Sequence, residues 1–277
     1  MILFVAYITV DAVLPVLLDR WIKHWSAFSD DPDASYFLDY LWIWLICGQW
    51  GMLSIWLVFG TSLWPVRLIV SLGGATFLTA VAFASDMAIR GEIEISGLRE
   101  TLSIPLFTLA ATAPLWAMWL WRGWRMTNHA SPAKTAQPGV RGLFWATAIV
   151  AVTVAIARFG VADVVPEQQA SAVVIIAFMG IWVGVLLYLP SFCAVFASKR
   201  PVLGLLAIGL YSLALAAAHA SAFEFAAEAD DKKPFAIYLA TCVALDVGLM
   251  LWLAGSLLVM RWTGWTLCRP MQNRAAI

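Results

Sequence analysis

The stretch QQASAVVIIAFMGIWVGVLLYLPSFCAVFAS, residues 168–198, contains no charged side chain and ends directly before Lys199 and Arg200. An α-helix needs about 20 apolar residues to cross the roughly 30 Å hydrocarbon core of a bilayer, so this stretch is long enough to span a membrane. Seven further runs with at most one charge predict spans of the same kind. They lie at residues 1–18, 40–66, 68–85, 101–121, 142–161, 201–223 and 234–260.

The overall composition agrees with a membrane protein. Hydrophobic residues make up 62% of the chain and charged residues 12%, which is about half the charged fraction usual in soluble proteins. Backbone groups in lipid must be hydrogen-bonded internally, and no alternating ten-residue strand pattern occurs. We therefore predict an all-α fold, a polytopic membrane helical bundle of eight transmembrane helices, or seven if residues 1–18 lie in the membrane interface.

Basic residues gather in four segments that contain no acid: residues 60–67, 121–145, 198–201 and 261–277. These segments hold ten of the 17 Lys and Arg and none of the 17 Asp and Glu. Because loops rich in Lys and Arg stay cytoplasmic, we predict a multi-pass protein of the cytoplasmic (inner) membrane with both termini in the cytoplasm.

Short sequence matches between its two parts divide the chain into two halves. Residues 126–140 are interpreted as a cytoplasmic linker between residues 1–125 and residues 141–277, each half holding four helices. Gly123-Trp124 and Gly264-Trp265 both follow the fourth helix of a half, which favours a parallel 4+4 repeat. Convergence on residues typical of membrane boundaries explains such short matches equally well.

Two acids lie inside predicted spans. Asp246 is about 16 Å into the last span at 1.5 Å per residue, near the middle of the bilayer. A carboxylate there costs several kcal/mol unless it is paired, hydrated or protonated, so it indicates a functional site. The structural alternative is a protonated acid that hydrogen-bonds across a helix interface. Asp11, in the first span, is the second candidate, because two acids facing one cavity would form a coupled pair able to exchange a proton.

Three more polar residues within spans are candidates. Arg158 lies near the end of its helix and either extends outward to the interface or turns inward as a counterion. Gln49 is predicted to form a hydrogen bond between helices. His219 lies about one turn from the end of its helix, and Glu224 falls on another face of that helix. We therefore interpret His219 as a single satisfied histidine, and no metal site is predicted.

Several function classes are disfavoured. A net charge of zero gives no argument for nucleic-acid binding. The chain has no H-E-x-x-H, G-x-S-x-G, P-loop or G-x-G-x-x-G motif, and its four cysteines show no paired spacing. No cofactor is predicted, and the expected partners are the lipid bilayer and other membrane subunits.

Three functional hypotheses remain from the sequence alone. The first is a non-catalytic membrane-embedded subunit or interaction protein, favoured by short loops and absent motifs. The second is a small secondary transporter in which Asp246 and Asp11 exchange protons. The third is a membrane enzyme with a site at the outer face, where five side chains would have to converge: His24, Asp30, Asp33, Glu92 and His219.

Overall fold

The computed structural model describes Val13 and residues 33–60, 62–90, 101–128, 140–161, 166–226 and 235–268. The first predicted span, with Asp11, therefore lies outside the described residues except for Val13. The predicted loop residues His24, Asp30 and Glu92 lie outside them as well.

The described chain is almost entirely helical. The helices are α1 (Asp33–Phe59), α2 (Trp64–Arg90), α3 (Ile104–Arg122), α4 (Val140–Gly160), α5 (Pro166–Val183), α6 (Leu189–Phe192), α7 (Pro201–Ala226), α8 (Phe235–Cys242) and α9 (Gly248–Trp262). A short 3-10 turn, Thr101–Ser103, precedes α3. Two four-residue strands follow α3 and α9, namely β1 (Arg125–Asn128) and β2 (Trp265–Cys268).

The prediction of a helical membrane protein is confirmed at this level. Among the described residues, five helices are long and apolar enough to cross a membrane: Trp64–Ala84, Thr101–Arg122, Gln168–Ala197, Pro201–Phe225 and Phe235–Trp262. Two shorter apolar segments, Ile46–Phe59 and Thr147–Gly160, lie within α1 and α4. The boundary between the second and third predicted spans differs from the structure, since α1 ends at Phe59 and Val66 already belongs to α2.

Helix α1 lies at the centre of the described bundle and packs against α2, α3 and α9. The largest core cluster joins Ile55 and Phe59 of α1 to Leu115 of α3, Phe192 of α6 and Leu253 of α9. Phe59 and Phe192 stack with ring centroids 4.4 Å apart. The aromatic pair therefore fixes α1 against the interrupted helix that contains α6.

Among the described residues, three π-helical turns interrupt the apolar helices: Gly184–Tyr188, Cys193–Ala197 and Val243–Val247. The first two flank α6, which begins beside Pro190. Proline lacks the N–H that would continue the α-helical ladder, so the chain changes its hydrogen-bond spacing around it. Pro114, in contrast, is accommodated within the continuous helix α3.

Strands β1 and β2 pair in antiparallel orientation at the ends of α3 and α9. Each strand follows a glycine with positive φ, 63° at Gly123 and 93° at Gly264. That left-handed conformation ends a helix and suits glycine because glycine has no Cβ. The segment predicted as a linker thus begins with three strand residues, 126–128, before α4 starts at Val140.

Helix α5 and the π-helical turn after it approach α3 closely at two glycines one turn apart, Gly180 and Gly184. A Cβ at Gly180 would meet the carbonyl oxygen of Phe107, and a Cβ at Gly184 would meet that of Ala111. Small residues four positions apart allow such close contact between membrane helices. Glycine is therefore required at these positions by the neighbouring backbone, which cannot move aside as a flexible side chain could.

We expect Gly184→Ala to lower the free energy of unfolding by about 1–3 kcal/mol, because the added methyl group overpacks the contact with α3. Gly209→Ala is the matched control, since a Cβ there meets nothing within 4 Å. In the interior of α7 alanine should be neutral or stabilising, by up to about 1 kcal/mol. Thermal unfolding of the two variants in the same detergent tests the contact, and equal melting temperatures would contradict it.

Candidate functional site

The candidate site lies between two consecutive helical segments. Helix α7 carries His219, and the π-helical turn Val243–Val247, between α8 and α9, carries Asp246. Residues 227–234 connect the two segments, and α7 packs against both α8 and this turn. Because the connection is short, the two segments lie side by side as consecutive helices.

His219 and Asp246 form a direct contact. The imidazole Nδ1 and the carboxylate Oδ2 lie 2.8 Å apart. When the acid is ionised, the imidazole N–H donates to the carboxylate; when the acid is protonated, its O–H donates to the neutral imidazole. In either arrangement one proton lies between the nitrogen and the oxygen, so the pair can bind a proton.

The two partners differ in exposure. The Asp246 side chain is 8% exposed, whereas the His219 side chain is 26% exposed. The carboxylate is therefore almost enclosed by protein, while part of the imidazole remains open on the outer surface of the described bundle.

Small side chains allow α7 to approach closely. Ala216 and Ala220 of α7 are fully buried against Cys242 at the end of α8, and Tyr238 and Leu239 pack around them. Residues 216 and 220 are separated by one helical turn and lie on one face of α7. His219, beside this face, is thereby held within hydrogen-bond distance of Asp246.

Two more polar groups lie within electrostatic range of the acid. Asp246 interacts electrostatically with the hydroxyl of Tyr211 on α7 and with the thiol of Cys242. Tyr211 is partly exposed and Cys242 is almost fully buried. The charge of Asp246 is thus coupled to groups on α7 and α8 as well as to the histidine.

Asp246 lies inside the π-helical turn itself. A π-helical turn contains one residue more than the α-helical turn it replaces, and it changes the direction of the side chains that follow. Such turns frequently occur at functional sites. The insertion therefore gives a local reason for the orientation of a carboxylate in an otherwise apolar helix.

Both groups lie well inside the apolar segments. His219 is six residues from Phe225, the end of one candidate span, which corresponds to about 9 Å at 1.5 Å per residue. Asp246 is eleven residues from Phe235, or about 16 Å on the same basis. An ionisable pair at this depth is costly to bury and is commonly part of an ion or proton pathway.

The structure places the other predicted residues elsewhere. Arg158 is exposed in the last turn of α4, and no ion pair joins it to Asp246 within the described residues. Gln49 is fully buried in α1, next to Gly48, which lies against Trp252 of α9. Of the proposed outer-face set, Asp33 is the first residue of α1, whereas His24, Asp30 and Glu92 lie outside the described residues. Asp11, the second acid of the carrier hypothesis, lies outside them as well.

Sequence reasoning treated His219 and Asp246 as separate candidates, whereas the structure brings them together. The only signal in the sequence was the short connection 227–234, which makes the two helices neighbours. Which of their residues meet depends on how the helices pack. Tyr211 and Cys242 were missed because neither residue type is unusual in an apolar helix. Within the part of the chain that the structure describes, no group of three or more His, Cys, Asp or Glu could hold a metal ion.

Comparison with known proteins gives no further assignment: no protein-family model, curated protein or solved structure matches this chain. The site is therefore interpreted from its own geometry.

A double-mutant cycle tests the contact. We expect His219→Ala and Asp246→Ala to be non-additive, with a coupling free energy of about 0.5–3 kcal/mol, because each substitution removes the partner of the other group. Unfolding in a graded detergent–denaturant mixture provides the measurement. The control cycle combines Asp246→Ala with Arg158→Ala, which should be additive within about 0.5 kcal/mol. Additivity in the first cycle would show that the two side chains do not interact.

Proposed function

We propose that this integral membrane protein is a small secondary carrier that binds and releases a proton at the His219–Asp246 pair during its transport cycle. The observation that supports the proposal is the 2.8 Å contact between an imidazole and a carboxylate inside two apolar, membrane-length helices. The sequence alone favours a non-catalytic subunit, whereas the imidazole–carboxylate contact favours a carrier.

Proton exchange suits this pair for a physical reason. Imidazole is the side chain best suited to exchange protons near neutral pH. Adding or removing one proton changes the net charge of the site by one unit, and in a medium of low dielectric constant that change strongly alters the cost of burial. Protonation can therefore bias two conformations of the helices that hold the pair.

The π-helical turn is a segment whose backbone can change when the pair gains or loses a proton. Its wider hydrogen-bond spacing departs from the regular α-helical ladder, as in other membrane helices that are locally irregular near binding sites. Asp246 lies within this turn, so a change in its hydrogen bonding acts directly on the backbone that connects α8 to α9. In the proposal, loss of the proton shifts this connection relative to α7.

The location in the cytoplasmic membrane, with both termini inside, also remains a proposal. Its support is the acid-free clustering of Lys and Arg described from the sequence. On that topology, the His219–Asp246 pair lies nearer the outer surface, because residues 227–234 connect α7 to α8 on that side.

The carrier proposal predicts a loss of proton movement in Asp246→Asn. We expect liposomes that contain wild-type protein and entrapped pyranine to acidify faster after an external acid pulse than liposomes that contain Asp246→Asn. The variant should approach the rate of protein-free liposomes, because asparagine keeps the side-chain shape but cannot ionise. Glu224→Gln, an acid-to-amide change further along α7, should retain the wild-type rate.

Equal flux in wild type and Asp246→Asn would overturn the carrier proposal. That result would favour the non-catalytic subunit hypothesis.

We also infer that the two halves are parallel repeats related by a two-fold axis. Aligning Gly123 with Gly264 makes Met126 the counterpart of Leu267, and these two residues are register partners in the hairpin. A rotation of 180° about an axis between Met126 and Leu267 then places the pair Arg125–Cys268 on the pair Thr266–Thr127. Both pairs are present in the observed register, as a two-fold axis requires.

Helix packing supports the same relation. Counting the predicted first span, α1 and α5 are the second helices of their halves, and α3 and the α8–α9 segment are the fourth. Helix α1 packs against α9, and α5 packs against α3. Each second helix therefore contacts the fourth helix of the other half, as expected for parallel repeats around an axis along the membrane normal.

Cysteine cross-linking tests the register on which this inference depends. In a Cys268→Ser background, Thr127→Cys with Thr266→Cys should form a disulfide on mild oxidation, because the two hydroxyl oxygens lie 3.4 Å apart. Thr127→Cys with Leu267→Cys should remain reduced, since neighbouring strand residues point to opposite faces. Coexpressed halves would reveal the bond as one band on a non-reducing gel, and preference for the second pair would contradict the two-fold relation.

A further inference from the structure

Basic side chains surround one end of the bundle, here called the cationic end. It comprises residues 56–67, 116–128, 192–203 and 258–268, none of which is Asp or Glu. Ring contacts draw these segments together, because Phe192 stacks on Phe59 at 4.4 Å and lies 6.4 Å from Trp124. The described basic side chains of this end are Arg67, Arg122, Lys199, Arg200 and Arg261.

Two of these arginines are engaged by the protein. Arg67 donates from Nη1 to the carbonyl oxygen of Val58 at 3.0 Å. Arg261 donates from Nη1 to the carbonyl oxygens of Val195 and Ser198. These carbonyls belong to helix ends, where backbone acceptors lack an N–H partner within the helix. Arg67 and Arg261 therefore stabilise helix termini and are excluded from the proposed site.

The other three cations face outward. Arg122, Lys199 and Arg200 are exposed, and within the described residues none of them forms an ion pair with an acid. Arg122 lies over the ring of Trp121 with its Cζ 4.4 Å from the centroid, a cation–π contact that holds the guanidinium at the helix end. The end of α3 lies against the segment that leads to Lys199, because the Met118 sulfur is 3.7 Å from the Cys193 sulfur. The three charges thus flank one corner of the cationic end.

Large apolar side chains border the same corner. Leu120 is 71% exposed and Trp121 is 78% exposed, and both belong to the candidate span Thr101–Arg122. In a spanning helix such side chains face acyl chains, and tryptophan favours the level of the lipid headgroups. Cations directly beside lipid-facing apolar groups match both parts of an anionic phospholipid.

We propose that Arg122, Lys199 and Arg200 form a binding site for the phosphate headgroup of an anionic phospholipid, whose acyl chains lie along Leu120 and Trp121. A free phosphate ion would use the three cations but gain nothing from the apolar border. A lipid uses both, and clusters of basic residues beside membrane helices recognise anionic headgroups in this way. The site is independent of the His219–Asp246 pair.

Brominated phosphatidylglycerol provides the test, because bromine quenches tryptophan fluorescence at short range and Trp121 and Trp124 adjoin the site. The wild-type protein, in nanodiscs of phosphatidylcholine, is titrated with this lipid. The triple variant Arg122→Gln, Lys199→Gln, Arg200→Gln should bind the lipid roughly 100-fold more weakly, given about 1 kcal/mol per basic residue near an anionic surface. Melting temperature in phosphatidylcholine alone checks that the variant is folded.

Arg158→Gln is the matched control, since Arg158 is exposed at the opposite end of the bundle, where α4 packs against the turn Thr101–Ser103. The brominated lipid should quench the tryptophan fluorescence of Arg158→Gln as strongly as that of the wild type. Equal quenching of wild type and the triple variant would overturn the proposal, and so would an equal loss in Arg158→Gln. Relief of quenching by millimolar inorganic phosphate would also overturn it, because the site would then bind a free anion.

Discussion

The structure depends on one constraint, that polar backbone groups inside a bilayer must find hydrogen-bond partners within the protein. Regular helices meet it by themselves, but helix ends and π-helical turns do not. Side chains add further donors to backbone carbonyls. Within α1, Tyr188 Oη donates to the Cys47 carbonyl at 2.8 Å, and Ser71 Oγ donates to the Leu53 carbonyl at 2.9 Å. Arg67 and Arg261 do the same at two helix ends. The bonds from Tyr188 and Ser71 join α1 near its middle, and the bond from Arg67 joins it near its end. These contacts help to explain the central position of α1.

The same constraint applies to the buried acid. A carboxylate in an apolar helix is tolerated when a partner shares its proton or its charge, and His219 provides that partner from the neighbouring helix. The free cations lie at the other end of the helices, among exposed aromatic side chains. The bundle therefore keeps the His219–Asp246 pair and the exposed cations of the cationic end separate, so one can be changed without altering the other.

Much of the fold follows from the length of the apolar runs in the sequence. The rest depends on features that the length of a run does not reveal. Residues 168–198 and 201–223 were predicted as spans because they are long and uncharged, and helices occur there. The π-helical turn at Val243–Val247 differs from an α-helix by one residue and leaves the apolar pattern unchanged, so composition could not reveal it. Asp246 was visible as an anomaly, but its contact with His219 depends on how two helices pack. Strands β1 and β2 are four residues each and lie far apart in sequence, so their pairing could not be read from local pattern.

The pairing of β1 with β2 has a consequence for biosynthesis. Strand β1 ends at Asn128, and its partner is complete only when Cys268 has been added, about 140 residues later. At roughly 5–20 residues per second, the ribosome needs about 7–28 s to make that intervening chain. During this interval the edge of β1 has no partner from its own chain, although α3 is already complete. The strands can therefore pair only after the last described helix, α9, has been synthesised, and a truncation that removes only the final strand would leave β1 without this partner.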